Sequence, residues 1–363
     1  MKPKIVVVGC GVVGALIAYE LSAQLDADIQ VVDQQMPGQG STGAALGVLM
    51  GVISHKVKGR TWRLREFSAR RYRGLIDELA QQGQAAVPFN SQGIVSLCFD
   101  EAKLPKWETL RAKRLTQGWP LEIWSVAELA TRCPQVALDE VKAAIYSPAD
   151  GQVDPAALTR SLITVAASRG VKFRWNAAVT RLQVAGQRCV GVQTTQGVFE
   201  ADWVVLSAGL GSGPLTAFAS EPLALMPVLG QAMEIRLPSV LGEVAFQPVI
   251  NGDDIQLVPL GEGRYWLGAT VEFPEAEVPL VAEAMGLENL QKGAARFCEA
   301  IASAEIVRTW SGLRPRPVGQ PAPVIKPLGE IENVTLATGH YRNGVLLAPA
   351  TAQQVCDQLQ TAL

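Results

Sequence analysis

The chain has 363 residues, of which 48% are hydrophobic and 18% charged, and its formal net charge is −2. That length holds two domains or one large α/β unit, and the near-neutral charge gives no reason to expect a nucleic acid or an anionic membrane surface as partner. Two histidines exclude a multi-histidine metal site, and six scattered cysteines without a C-x-x-C pair argue against zinc and disulfides, so we expect small-molecule ligands, no metal and buried thiols.

The N-terminus imitates a secretory signal, because two lysines precede an apolar stretch. Cleavage would discard the glycine motif inside that stretch, and no uncharged apolar run reaches the ~18 residues needed to span a bilayer. The sequence therefore predicts a soluble, cytoplasmic protein with no membrane partner.

Residues 5–14 form an apolar, β-branched run that ends in glycines at the G-x-G-x-x-G spacing. Gly9 would permit the tight turn after a strand, Gly11 the approach of a pyrophosphate, and Gly14 the packing of the next helix against the strand. Phosphates would lie at the helix N-terminus, where free amides and the helix dipole favour negative charge. The pattern predicts a dinucleotide site.

A second predicted strand, residues 29–32, ends at Asp33, whose carboxylate is placed to bind ribose hydroxyls. A strand precedes the glycines, a helix follows them and an acidic residue ends the next strand. This order favours a dinucleotide site over an ordinary glycine-rich turn. The fingerprint alone is also compatible with an NAD-dependent dehydrogenase.

The sequence predicts three helices, one before this strand and two after it. One follows the fingerprint as far as residue 27 and is expected to bury one face. Another spans residues 63–79, with an apolar side and a solvated basic face that includes Arg65. A third begins at Asp154, which can cap the free amides, followed by Pro155 at the first helical position.

Strand patterns fall into two groups. Short runs broken by turns occupy residues 171–175, 179–184, 191–195 and 203–207, whereas longer alternating runs without helices occupy 230–235, 254–259 and 265–270. The second group indicates an antiparallel sheet in a separate layer. The chain then returns to α/β character with a strand at 334–337, a glycine-containing loop at 338–347 and a helix at 349–363.

We therefore predict an α/β protein with two domains. The first is a discontinuous, Rossmann-like nucleotide-binding domain with a parallel sheet, made of residues 1–80, 145–215 and 305–363. The second is an inserted, α+β substrate-binding domain built on the antiparallel sheet, made of residues 81–144 and 216–304.

Two arginines stand in loops beside glycine or proline. Arg314 lies in the segment WSGLRP and Arg342 in the segment GHYRNG. A guanidinium held by a stiff turn can bind a carboxylate through two parallel hydrogen bonds. Both arginines are therefore candidates for substrate binding, with a surface position as the alternative for each.

Six segments occur in the order found in FAD-dependent amino acid oxidases of the D-amino acid oxidase superfamily, and the chain resembles that family over nearly its whole length. They are the fingerprint at 9–14, GSTGAALG at 40–47, DGQVDP at 150–155, SAG at 207–209, GLRP at 312–315 and GHYRNGVLLAPA at 339–350. The last is most similar to glycine oxidases, which supply an imine to thiazole synthesis in thiamine biosynthesis.

The resemblance implies FAD rather than NAD, with contacts to the nucleotide, the pyrophosphate and the flavin ring. The loop at 340–346 would run along the pyrimidine edge of the flavin, where amides stabilise the negative charge that builds on reduction. The cofactor residues implied are Gly9, Gly11, Val12, Val13, Gly14, Asp33, Gln34, Ser41, Thr42, Leu46, Gly47, Val48, Val179, Ala208, Gly209, His340, Tyr341, Arg342, Asn343, Gly344, Val345 and Leu346.

The resemblance further implies that Arg314 binds the carboxylate of a small amino acid or amine substrate and that Arg342 lines the same site. Hydride would pass from the α-carbon to flavin N5 without a protein base, the imine would hydrolyse, and dioxygen as acceptor would give hydrogen peroxide. A homo-oligomer is also within this expectation.

The sequence departs from the family at Gln256, which stands where glycine oxidases have a tyrosine beside the substrate carboxylate. Gln256 is a candidate substrate-binding residue that offers no aromatic wall, so the preferred substrate stays open. Two alternatives stay open as well: a dehydrogenase of the same fold that passes electrons to a quinone or carrier, and an FAD-binding protein whose amine-oxidising site has decayed.

Overall fold

The computed structural model describes residues 2–83, 86–275 and 279–363. Its helices are α1 (Val12–Gln24), α2 (Gly59–Gln81), α3 (Leu104–Thr116), α4 (Val126–Arg132), α5 (Pro155–Ser168), α6 (Ser212–Leu215), α7 (Ala284–Ala295) and α8 (Gly344–Ala362). Its strands are β1 (Lys4–Val8), β2 (Asp28–Val32), β3 (Val48–Leu49), β4 (Phe89–Asn90), β5 (Ile94–Cys98), β6 (Glu122–Trp124), β7 (Ala143–Ser147), β8 (Gly151–Val153), β9 (Lys172–Arg174), β10 (Val179–Ala185), β11 (Arg188–Thr194), β12 (Gly197–Glu200), β13 (Trp203–Leu206), β14 (Leu225–Arg236), β15 (Val249–Gly252), β16 (Ile255–Gly261), β17 (Arg264–Gly268), β18 (Glu305–Pro317), β19 (Val324–Leu328) and β20 (Ile331–Thr338).

A six-stranded sheet in the order β19-β20-β13-β1-β2-β9 forms the nucleotide-binding half, parallel except for β19. Ile5 and Val7 pack into the core shared with α1, α5 and α8, while Val6 and Val8 pack against the small sheet β10-β11-β12. Because β1 is covered on both faces, its sequence is a continuous apolar run. The predicted parallel sheet is confirmed.

An eight-stranded sheet in the order β18-β14-β17-β16-β15-β5-β7-β6 forms the second layer. It is antiparallel apart from the parallel pair β15 and β5. One face packs against α7 through Met233, Leu257 and Leu267, and the other faces Leu46 of the segment that follows β2. The predicted antiparallel layer is confirmed, and its second face lies towards the nucleotide-binding half.

The boundary predicted at residue 305 conflicts with the strand pairing. Strand β18 pairs with β14 along nearly its whole length, so residues 305–317 lie in the antiparallel sheet and not in the nucleotide-binding sheet. Residues 145–147 likewise belong to β7 of the antiparallel sheet. The division into two domains itself stays a prediction.

Helix α1 is not amphipathic. Residues on all its sides are buried, Tyr19 and Glu20 included, because α5 and α8 pack against it beside the sheet. On α2 the predicted apolar face is buried, but Arg65 was wrongly placed on the solvated face: it is only 8% exposed. Hydrophobic periodicity shows which face a neighbour covers, and it cannot show that a second neighbour covers the other face.

The last helix begins five residues earlier than predicted, at Gly344, so that Pro349 lies inside it. Proline interrupts a helix chiefly because it removes one amide donor and crowds the carbonyl four residues before it. That carbonyl belongs to Val345, and it accepts a hydrogen bond from the buried Tyr72 hydroxyl of α2. The side chain from the neighbouring helix replaces the missing donor, and the helix continues through the proline.

All six cysteines are buried, as predicted. Within the described ranges, no helix combines the length and the apolarity that crossing a bilayer requires.

Candidate active site

The glycine loop closes tightly on the end of a neighbouring parallel strand. Gly9 has φ +95°, and a Cβ there would lie 2.6 Å from the Cα of Ala208, which follows β13. A Cβ at Gly14 would lie 1.9 Å from the carbonyl oxygen of Gly9. These contacts explain why a turn and a helix can follow β1 so closely only with glycine at both positions.

The amides that open α1 meet two predicted site residues. Asp33 accepts a hydrogen bond from the Cys10 amide at 2.6 Å, and the buried Thr42 hydroxyl accepts one from the Val12 amide at 3.0 Å. The second carboxylate oxygen of Asp33 accepts from the Gln35 amide. The ends of β1 and β2 and the segment carrying Thr42 therefore meet at one edge of the parallel sheet.

The segment from Ser41 to Met50 crosses from this edge to the antiparallel sheet. Ser41 donates its hydroxyl to the carbonyl oxygen of Leu313 at 2.6 Å, and the Trp310 indole donates to the carbonyl oxygen of Ala44 at 3.1 Å. At its far end the segment becomes β3, which pairs with β8. Leu46 and Val48 thus lie between the two large sheets.

Arg314 was predicted in a loop but lies within strand β18, because residues 305–317 pair with β14, and its side chain occupies the space above Gly230 of that neighbouring strand. Its Nη1 donates to the carbonyl oxygen of Leu229 at 2.9 Å, and a Cβ at Gly230 would lie 2.2 Å from its Nη2. Burial and the nearby Arg342 guanidinium lower the pKa of Arg314. Two cations near each other, one of them partly desolvated, make this place favourable for an anion such as a carboxylate.

Arg342 is exposed and forms an ion pair of 3.6 Å with Asp254 in the turn between β15 and β16. That turn borders a cleft of about 380 Å³ lined in part by Lys103, Trp107 and Asn251. The ion pair links the arginine pair to the mouth of this cleft.

Gln256 lies close to Met50. Its Nε2 is 3.9 Å from the Met50 Sδ. The register Gln256, Gly268, Ala232 and Trp310 across four strands puts Gln256 on the face that carries Arg314. In the described parts of the chain, no hydrogen bond or ion pair joins Gln256 to either arginine.

His340 is buried at the end of β20 and acts on the helix that follows. Its Nε2 is 2.9 Å from the Thr351 Oγ1, which donates its own hydrogen to the carbonyl oxygen of Leu347. The imidazole must therefore donate through Nε2. Burial lowers the pKa of His340 to about 3, so the ring is neutral. The side chain holds the loop on α8.

The other predicted residues lie around these points. Tyr341 has φ +54° in the one-turn helix that leads into α8. Gly209 is the first residue of a short turn, and its carbonyl oxygen accepts a hydrogen bond from the Thr338 hydroxyl. Val179 begins β10, two residues after an amide bonded to the Asp33 carbonyl. Val345 and Leu346 are buried at the start of α8, Val13 is half-buried on α1, and Gln34 is exposed after β2.

Two further residues hold the site without having been predicted. Asp150 is buried and accepts three backbone amides, those of residues 51, 52 and 53, at 2.7 to 2.8 Å. Arg65 donates to the carbonyl oxygen of Met50 at 2.8 Å and to the Asn343 Oδ1 at 3.0 Å. Asp150 lies in the segment DGQVDP, which carried the family resemblance and so gave a signal, whereas Arg65 gave none because its partners are distant in sequence.

These residues fit FAD. The glycine turn and the amides of α1 form a cradle for a pyrophosphate, with Asp33 at the end of the next strand. The individual contacts remain predictions.

A family model described as FAD dependent oxidoreductase matches residues 4–358. The chain belongs to this family. Membership confirms FAD as the cofactor and an FAD-dependent oxidoreductase as the class of enzyme, and it rules against the NAD-dependent alternative.

Relatives of the FAD dependent oxidoreductase family resemble the chain over its whole length. A glycine oxidase of Pseudomonas putida is 30% identical over 366 residues, covering 100% of this chain and 96% of its own. A bifunctional protein ThiO/ThiG of Trichormus variabilis is 29% identical over 370 residues and 98% of this chain. The chain spans about half the length of that bifunctional relative, 52%.

A solved structure, the glycine oxidase of Geobacillus kaustophilus, superposes with a TM-score of 0.88 at 26% identity, covering 99% of this chain and 95% of that one. The likeness confirms the predicted fold class. The predicted oligomer and cytoplasmic location stay predictions.

Proposed function

We propose that this protein oxidises a small amino acid or amine at its carbon–nitrogen bond. The observation that carries the proposal is Arg314, which the carbonyl oxygen of Leu229 holds above Gly230, with the Arg342 guanidinium near enough to act on its charge. A substrate carboxylate placed between the two arginines would reduce their repulsion. It would also replace the hydrogen bonds to water that the Arg314 guanidinium loses on burial.

The role of Arg314 is to bind and orient. Its Nη1 is held by the carbonyl oxygen of Leu229, so the guanidinium has a fixed direction before substrate arrives. Arg342 forms an ion pair with Asp254, and because it is exposed it can turn towards the substrate carboxylate at little cost. A fixed anchor on one side orients the α-carbon towards the ring site.

When bound, FAD supplies the acceptor for the α-hydrogen and its electron pair, which pass to dioxygen to give hydrogen peroxide, while the imine hydrolyses in water to an oxo acid and ammonia. The described side chains around the arginines include no neutral histidine facing this space, since His340 is buried on α8. Hydride transfer from a substrate that arrives with its amine neutral removes no proton in that step, so it needs no protein base.

Glycine and its small N-substituted or C-substituted relatives are the substrates to test first, because relatives of the chain are named glycine oxidase and ThiO/ThiG. A place in thiamine biosynthesis is part of this proposal and depends on glycine being accepted. Gln256 argues for a wider pocket than an aromatic residue would leave.

The test is an anaerobic titration of the FAD-loaded protein with a panel of small amino acids and amines, followed by the flavin absorption. Bleaching by at least one amino acid, and peroxide release on admitting air, are expected. Bleaching without peroxide release would support amino acid oxidation but would show that the electron acceptor is not dioxygen. An FAD-loaded protein that no member of the panel bleaches would overturn the proposal.

A further inference from the structure

Arg65 is a buried cation that reaches the loop before α8 from α2. It is 8% exposed, and its two terminal nitrogens donate to the carbonyl oxygen of Met50 and to the Asn343 Oδ1. Its Nε is buried and has no hydrogen-bond partner in the part of the chain that the structure describes. The side chain is therefore fixed by two neutral acceptors and retains an unused donor.

No carboxylate neutralises this charge directly. Within the described residues, Arg65 forms no ion pair, and the one carboxylate that acts on it, Asp150, already accepts three backbone amides. Burial lowers the pKa of Arg65, but a guanidinium keeps its proton in proteins. A desolvated cation costs folding free energy, and Asp150 offsets part of that cost without contacting Arg65, so a second anion on the side of Met50 and Asn343 would be stabilised as well.

The position of the charge suggests what that anion is. Asn343 precedes the first residue of α8, where the helix dipole already favours negative charge, and Met50 ends the segment that runs between the two sheets. The Asn343 side chain accepts from Arg65, so the guanidinium lies directly behind the loop that opens α8. In the function proposed above, the space on the other side of that loop holds the pyrimidine edge of FAD, which gains negative charge on reduction.

We infer that Arg65 is a positioning residue that makes the bound flavin easier to reduce. It does so by holding Asn343 and Met50 in place and by keeping a fixed positive charge behind them. The inference rests on the proposed placement of the flavin beside the 340–346 loop, and it goes beyond the proposed function by assigning to α2 a part in setting the reduction potential.

The test measures the two-electron midpoint potential of the bound flavin by equilibration with a reference redox dye, and its FAD content separately. Arg65→Gln should lower the equilibrium constant for reduction by about tenfold, which for a two-electron couple is about 30 mV towards more negative potential. Arg65→Lys keeps the charge while losing the planar fork, and should recover most of that shift. Arg63→Gln, an exposed residue of the same helix, is the matched control and should leave the potential unchanged.

The outcomes separate the two ideas. Equal shifts in the glutamine and lysine variants would show that Arg65 acts only through the geometry of Asn343 and would overturn the electrostatic role, and an unchanged potential with full FAD content would overturn the inference as a whole. Absence of FAD from the unaltered protein would instead remove the proposed function. If Arg65→Gln does not fold, the test uses Arg65→Lys alone. As pH rises and the buried ammonium loses its proton, the flavin potential of this variant should fall below that of the unaltered protein. Flavin potentials that change with pH in parallel in the two proteins would refute the charge effect.

Discussion

Tyr72 donates its hydroxyl hydrogen to the carbonyl oxygen of Val345, the helical acceptor that Pro349 leaves without an amide. Burial raises the pKa of Tyr72, so the hydroxyl stays protonated and available as a donor. The neighbouring Ser68 hydroxyl accepts from the Ala350 amide at 3.2 Å. Helix α2 thus holds the first turns of α8, which start at the loop proposed to contact the flavin.

Tyr72→Phe should lower the free energy of unfolding by about 1 to 3 kcal/mol, because it leaves a buried carbonyl without a donor. Urea denaturation followed by circular dichroism measures the change. Pro349→Ala returns an amide donor to the same carbonyl, so the cost of Tyr72→Phe should shrink in that background. Equal costs in both backgrounds would mean that the hydroxyl does not replace the missing amide.

Arg314→Ala should weaken substrate binding by about 2 to 5 kcal/mol while FAD content stays normal, since one partner of a buried charge pair is lost. Steady-state KM and the substrate dependence of anaerobic bleaching measure it. Gly230→Ala should act in the same direction, because its Cβ would lie 2.2 Å from the Arg314 Nη2. Arg236→Ala, at the exposed end of the same sheet, is the control; an unchanged KM in Arg314→Ala would remove the residue from the site.

Gly11→Val should prevent FAD retention, because the first added carbon would lie 2.8 Å from the Thr42 Oγ1 and the rest of the side chain would fill the phosphate cradle. The ratio of flavin absorption to protein absorption in the purified protein reports it. Gly74→Val on α2, where an added Cβ meets nothing nearer than 3.8 Å, is the control for valine as such. Normal FAD content in Gly11→Val would refute the cradle.

His340 should make the protein less stable in acid. Its pKa is about 3 in the folded protein against an ordinary 6.5, so between these values the unfolded chain binds a proton that the native state does not. Its contribution is therefore complete above pH 6.5 and is lost as pH falls towards 3, at a slope of at most roughly 1.4 kcal/mol per pH unit. His340→Gln should flatten the slope of unfolding free energy between pH 6.5 and 4.5, whereas His55→Gln, at an exposed position, should change it less.

Gln256→Tyr should shift preference towards glycine. The cross-strand neighbour on β17 is Gly268, which Leu46 already covers on that face, so an aromatic ring at position 256 should extend towards Met50 and narrow the pocket there. The ratio of kcat/KM for glycine to that for larger amino acids measures the shift, with Gln256→Leu as the control for loss of the amide alone. An unaltered substrate ranking would place Gln256 outside the pocket.

The local elements could be predicted because each depends on neighbours in the chain. The run from Ile5 to Gly14 specifies its own strand, turn and helix, and Asp154 with Pro155 fixes the start of α5, where the Asp154 carboxylate accepts two amides at 2.9 Å. The predicted role of Arg314 depends on the family resemblance, and the loop predicted around it is wrong because the pairing of β18 with β14 makes it a strand.

Only the tertiary structure decided what distant segments do to one another. The sequence predicts Arg65 as a surface cation of an amphipathic helix, but Met50 and Asn343 accept its hydrogen bonds in the interior. It predicts a helix that begins at Pro349, but the Tyr72 hydroxyl supplies the missing donor, so the helix begins at Gly344. Strand β18 reads as part of the nucleotide-binding half until it pairs with β14. Burial and hydrogen bonding between such residues depend on which surfaces meet in three dimensions. The spacing of residues along the chain indicates whether an element is a helix or a strand, but it does not indicate which element packs against it.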